Sequence, residues 1–111
     1  MTPLRFPLTA RALRSAFEEL EPETIRLDKK PGWHEATIDG AWSFGRVQRH
    51  LARMGLGKVG GRDSRCFADQ AGAVGVVLHG VAPHPTRNAY RTWTIEVFAR
   101  KDLASTRAAL F

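Results

Sequence analysis

Cysteine is nearly absent from this chain. Cys66 stands alone among 111 residues, which excludes an intrachain disulfide and a cysteine-rich zinc site. A reducing compartment suits such a chain. Long apolar runs are missing too. The longest, Ala73–Leu78, is far too short to span a bilayer. The opening Met1–Ala10 carries Pro3, Arg5 and Pro7 and lacks the continuous apolar core of roughly 7–15 residues that marks a signal peptide. A cytoplasmic location without membrane attachment is therefore expected. No repeat, low-complexity tract or long linker divides the sequence, so residues 1–111 read as one domain.

Several chemical signatures are also lacking. Gly55, Gly57, Gly60 and Gly61 do not form a phosphate-binding loop, because Lys58 is followed by Val59 where the Walker pattern needs Ser or Thr. The dinucleotide fingerprint fails because these glycines follow a helix and not a strand. There is no nucleophile elbow around a serine. The four histidines, His34, His50, His79 and His84, have no partner set with metal-ligand spacing. No cofactor and no metal is expected.

What is present is an ordinary globular composition with an excess of positive charge. Hydrophobic residues make up 43% and charged residues 25%, which argues against disorder. The formal net charge is +6, and such an excess favours acidic partners. It is concentrated in one place. Residues 1–40 sum to −1 and residues 66–111 to +2, while residues 41–65 sum to +5, carrying Arg46, Arg49, Arg53, Lys58, Arg62 and Arg65 against Asp63 alone.

Periodicity predicts an α+β fold. Thr9 is a fitting N-cap for a helix over 10–20, with Leu13, Ala16, Phe17 and Leu20 as its buried stripe and Pro22 as its stop. Thr24–Asp28 and Trp33–Ile38 read as a hairpin about Pro31-Gly32, with Lys30 opposite Trp33, Leu27 opposite Ala36 and Ile25 opposite Ile38. This register sets Asp28 against Glu35. Asp39-Gly40 reads as a turn into a second helix over 44–54, capped by Ser43, with Trp42 as a staple and Phe44, Val47, Leu51 and Met54 facing the core. Gly55 is a left-handed C-cap residue and Leu56 its apolar contact. Residues 57–64 read as a Gly-rich loop. Strands follow over 65–68, 73–81 and 90–99, with Val74, Val76 and Leu78 on one face and Trp93, Ile95 and Val97 inward. A last short helix starts at Asp102 and carries Leu103 and Leu110. The expected architecture is one antiparallel sheet of four or five strands with helices packed on one face, in the order α-β-β-α-(β)-β-β-α.

The clearest constellation lies on the second helix. Arg46, Arg49, His50 and Arg53 share one helical face, largely opposite the apolar stripe. Lys58, Arg62 and Arg65 follow in the Gly-rich stretch. An unneutralised basic face suits phosphate tracking. It equally suits a solvated surface whose cations sit near the negative end of the helix dipole. A second constellation, His79, His84, Arg87, Tyr90 and Arg91, gathers in one hairpin the acid, base and cation that metal-free RNA cleavage needs. With Val81 opposite Tyr90, His79 would neighbour Thr92 and stand too far from Glu96 for a direct pair. Cys66, between Arg65 and Phe67, reads as a small buried hydrophobe. Trp33, Trp42 and Tyr90 serve either as core aromatics or as base-stacking platforms, and Trp93 reads as core.

Three readings result. The first is a small, basic, non-enzymatic binding module. It would act on nucleic acid, or as an inhibitor or accessory factor on an acidic patch of a nucleic-acid-handling protein, through the second helix and the Gly-rich loop. The second is a toxin-like, metal-free endoribonuclease. The third is a structural or assembly protein of a phage or mobile element, with the outer face of the sheet making a homodimer or larger oligomer.

Overall fold

Strict two-residue alternation decides which side of the sheet is covered. The computed structural model describes residues 4–61, 64–83 and 91–101. Its elements are α1 (Ala10–Phe17), a 3₁₀ turn (Glu18–Leu20), β1 (Thr24–Lys30), β2 (Trp33–Trp42), α2 (Phe44–Arg53), β3 (Gly57–Val59), β4 (Cys66–Ala68), β5 (Val74–Pro83) and β6 (Arg91–Arg100). They form one antiparallel sheet in the order β1-β2-β6-β5-β4-β3, with two helices. The α+β class is as the periodicity predicts, and the strand count is six rather than four or five. The predicted helix after Asp102 lies outside the described residues.

Ala36 and Ile38 of β2, Trp93, Ile95, Val97 and Ala99 of β6, Val74, Val76 and Leu78 of β5 and Phe67 of β4 all point to one face and are buried. Leu13, Ala16 and Phe17 of α1 and Val47 and Leu51 of α2 close over them in a single core cluster. Leu4 and Leu8 join it, and the Leu8 amide donates to Nδ1 of the buried His34 at 3.0 Å. That bond ties the buried His34 ring to the backbone, with Nδ1 as the acceptor.

The local chemistry of the helix ends follows the sequence. Thr9 Oγ1 accepts from the Ala12 amide at 3.1 Å and Ser43 Oγ from the Arg46 amide at 3.2 Å, satisfying amides that the first turn leaves unpaired. α2 ends in a Schellman arrangement. The Leu56 amide reaches the Leu51 carbonyl at 2.9 Å, the Gly55 amide reaches Ala52 at 3.0 Å, and Gly55 has φ of 81°, as this motif requires. The β1–β2 hairpin has the expected register throughout, with Gly32 at φ 80°. Lys30 Nζ lies 3.6 Å from Asp28, which offsets the contact of Asp28 with Glu35 across the hairpin.

Three expectations fail for physical reasons. Asp39-Gly40 is not a turn, because β2 runs on to Trp42. A Cβ at Gly40 would overlap the Trp42 ring, so this glycine makes room for an indole and does not reverse the chain. Trp42 is itself core, and its Nε1 donates to the Leu20 carbonyl at 2.6 Å. The Gly-rich loop is shorter than expected, because Gly57–Val59 pairs with Cys66–Ala68 as the edge strand β3. Ser64 Oγ ties this hairpin together, donating to the Val59 carbonyl at 2.5 Å and accepting from the Cys66 amide at 3.1 Å. Cys66 faces away from the core and is exposed, not a buried hydrophobe.

The Gly40 contact gives a direct check. Gly40→Ala is expected to lower unfolding free energy by about 1–3 kcal/mol, the usual cost of overpacking. Gly57→Ala, where a Cβ meets nothing within 4 Å, is expected to be near neutral. Equal denaturation midpoints for the two variants would contradict this account of Gly40.

Candidate functional site

Helix spacing sets Arg46, Arg49, His50 and Arg53 on the side of α2 that borders the end of α1, and the structure shows what each one does there. Ala16, Glu19 and Leu20 sit where α1 runs out, and carbonyls at a helix end have no intrahelical partner. Side chains from α2 and from Trp42 just before it satisfy these three. His50 Nε2 lies 2.7 Å from the Ala16 carbonyl. Because a carbonyl accepts only, this nitrogen carries a proton. Arg46 Nη2 donates to the Glu19 carbonyl at 2.8 Å, and Trp42 takes Leu20. His50 is 3% exposed and packs on the Phe17 ring. It is a structural histidine and not a surface contact.

Glu19 was not singled out from the sequence, yet it centres the site. Its Oε2 lies 3.2 Å from Arg53 Nη1 and 3.8 Å from His50 Nδ1. Its position five residues from Arg14, outside the i,i+4 pattern, gives no local signal; the pairing exists because two helices meet. Glu19, Leu20, Arg46, Arg49, His50 and Arg53 line an open cleft of about 300 Å³. Arg49 is exposed and makes no hydrogen bond or ion pair with any of the described residues. The cleft thus presents three guanidinium groups against one carboxylate.

The other predicted cations divide from this group. Lys58 Nζ lies 5.8 Å from the Phe44 ring centre, and the Arg65 guanidinium lies 5.0 Å from Phe44 and 4.8 Å from Trp93. They lie at the β3–β4 edge over the half-buried Phe44 ring and, for Arg65, the buried Trp93 ring, in cation–π contacts. Arg62 lies outside the described residues, so the continuous basic strip expected over 46–65 is described as two separate patches.

The hairpin constellation changes because β5 and β6 pair two residues out of the expected register, which puts His79 opposite Thr94 instead of Thr92, with a one-residue bulge next to it between Gly80 and Ala82. His79 Nε2 then lies 3.3 Å from Glu96 Oε1, so the His–carboxylate pair judged too distant does form. An isolated glycine inside a strand pattern, Gly80, is the signal that pointed to the bulge. His84, Arg87 and Tyr90 and the side chain of Arg91 lie outside the described residues. Among those described, no group of three or more His, Cys, Asp or Glu side chains is placed to hold a metal ion.

This pair stands on the face of the sheet that neither described helix covers, where polar side chains alternate with half-buried Trp33, Val77 and Phe98. Asp39 accepts from Thr24 Oγ1 at 2.9 Å and from Thr94 Oγ1 at 2.6 Å, and lies 3.6 Å from Arg26. Trp33, half-buried on the same face, is covered by Lys30 Nζ at 4.5 Å. The Glu35 carboxyl is held above the usual carboxylate range, chiefly because it hydrogen-bonds Glu96, then through partial burial and the charges of Glu96 and Asp28, against an opposing pull from Lys30.

The chain matches no family model, no curated protein and no solved structure with which it was compared. No helix among the described residues is long and apolar enough to cross a membrane.

A raised carboxyl in the folded state binds more protons than in the unfolded chain, so its contribution to stability is present at acid pH and is lost as pH rises through the folded value. Glu35→Gln is therefore expected to raise the melting temperature relative to the parent at neutral pH. The gain should shrink below the ordinary carboxylate value of 4.5. Melting curves over about pH 4 to 8 check this, and a parent–variant difference independent of pH would contradict the shared proton.

Proposed function

We propose that this protein is a non-enzymatic nucleic-acid-binding module, cytoplasmic, whose working surface is the arginine cleft between α2 and the end of α1. The observation that carries this reading is the set of three guanidinium groups, Arg46, Arg49 and Arg53, along one cleft with Glu19 as its single lining carboxylate. Guanidinium forks match phosphate oxygens and bind them bidentately. The cleft is open and lined by charged side chains, unlike the enclosed apolar pockets that hold small organic ligands. Lys58 and Arg65 form a second cationic patch at the β3–β4 edge, beside Phe44, and would extend the track of a backbone.

Fluorescence anisotropy with DNA and RNA oligonucleotides over a salt series tests the reading. Each phosphate neutralised contributes about 0.9 to the log–log salt slope on duplex DNA. Arg49→Gln with Arg53→Gln is expected to weaken binding and flatten that slope by about 2, with an unchanged far-ultraviolet circular dichroism spectrum. Unchanged affinity and slope would overturn the reading. Absence of binding to any oligonucleotide at low salt would turn the search to an acidic patch on a nucleic-acid-handling protein.

The His79–Glu96 pair favours a second reading, a metal-free endoribonuclease. An imidazole beside a carboxylate is oriented for proton transfer, with His84, Arg87 and Tyr90 as the further candidates. RNA cleaved by the parent and left intact by His79→Ala would support it; RNA left intact by the parent would remove it.

A further inference from the structure

The Glu19 carboxylate stands among the arginines that line the cleft. It reaches Arg53 at 3.2 Å and faces His50 Nδ1 at 3.8 Å, while the Glu19 backbone carbonyl takes Arg46. A stitch between helices does not require this carboxylate. The carbonyl contacts of Arg46, His50 and Trp42 already join α1 to α2. The ion pair is highly exposed, with Arg53 at 66% and Glu19 at 62%, so it holds the two side chains together weakly. Arg49, on the same cleft, has no anion beside it among the described residues. A carboxylate on three rotatable side-chain bonds can swing away from Arg53 at little cost, leaving Arg46, Arg49 and Arg53 around one space.

We infer that the cleft is a seat for one phosphate group, and that the Glu19 carboxylate is an internal competitor that must be displaced for phosphate to enter. The inference rests on the nucleic-acid reading and adds the position of one phosphate and a built-in brake on it. The phosphate is either an internal diester of the strand or a terminal monoester, both offering anionic oxygens to the same guanidinium groups.

The test is oligonucleotide binding by the full chain at moderate salt, comparing the parent with Glu19→Gln and Glu18→Gln. Both variants change net charge equally, but Glu18 does not line the cleft. Glu19→Gln is expected to tighten binding roughly three- to tenfold, and Glu18→Gln to change it much less, because solvent and salt screen a more distant charge. Adding Arg53→Gln to Glu19→Gln should cancel the gain. A gain confined to oligonucleotides with a 5′-phosphate identifies a terminal monoester; an equal gain without it identifies the backbone diester. Equal effects of the two glutamate variants, or weaker binding by Glu19→Gln, would overturn the inference. If the parent binds and Arg49→Gln/Arg53→Gln does not, the nucleic-acid reading survives that failure. Should Glu19→Gln fold poorly, the parent titrated with inorganic phosphate decides the matter. The Arg46 and Arg53 side-chain Nε–H resonances are expected to move, and static signals would contradict the seat.

Discussion

The α1–α2 seam depends on carbonyls that a helix cannot satisfy by itself. Ala16, Glu19 and Leu20 present theirs where α1 gives way to the 3₁₀ turn, and His50, Arg46 and Trp42 answer them. The Ala16 and Leu20 contacts are buried, and a buried carbonyl without a donor costs about 1–3 kcal/mol, so His50 and Trp42 fix how α2 lies beside α1. The same contacts decide which of the basic residues remain outward. Two of the four polar side chains on that face of α2 are used in the seam, and Arg49 and Arg53 are left at the rim of the cleft.

The sheet supplies the platform for this seam. Alternation along β2, β6 and β5 puts the fully buried apolar side chains on one face, so both helices cover that face, and leaves Trp33, Val77 and Phe98 half-buried on the other. That opposite face also carries Asp39, Thr94, Glu96, Glu35 and His79, which pair with one another across strands. Arginines gather at the α1–α2 seam around one carboxylate, whereas on the other face of the sheet the cations Arg26 and Lys30 stand among Asp28, Glu35, Asp39 and Glu96. That difference is the reason for seating a polyanion at the seam, because phosphates approaching the other face would meet Glu35, Glu96 and Asp39.

Much of this was legible in the sequence, and the exceptions share a cause. Caps, the Schellman glycine, the first hairpin and its register follow from local chemistry at Thr9, Ser43, Gly55 and Pro31-Gly32, where the deciding atoms lie within a few residues. Asp39-Gly40 misled because the dipeptide has the composition of a turn, whereas Gly40 exists for the Trp42 ring stacked against it. β3 was missed because three residues bounded by glycines carry no readable period. Glu19 and the Glu35–Glu96 pair depend on contacts between distant segments. His79 and Glu96 come together because β5 and β6 pair two residues out of the register expected from the loop between them. For the candidate site, the sequence showed which side chains share a helical face. It could not show that His50 turns inward or that a carboxylate from another helix stands among the arginines.

The central claim is that nucleic acid is held on the helical side of the molecule, at the cleft between α2 and the end of α1. Backbone amide shifts in a ¹H–¹⁵N spectrum, followed while an oligonucleotide is added, map the contact surface without altering a residue. The account predicts the largest changes over Glu18–Leu20 and Arg46–Arg53, with the open-face positions of β2 and β6, such as Glu35, Asp39 and Glu96, nearly still. Changes concentrated on those open-face positions, with the α2 amides unmoved, would contradict it.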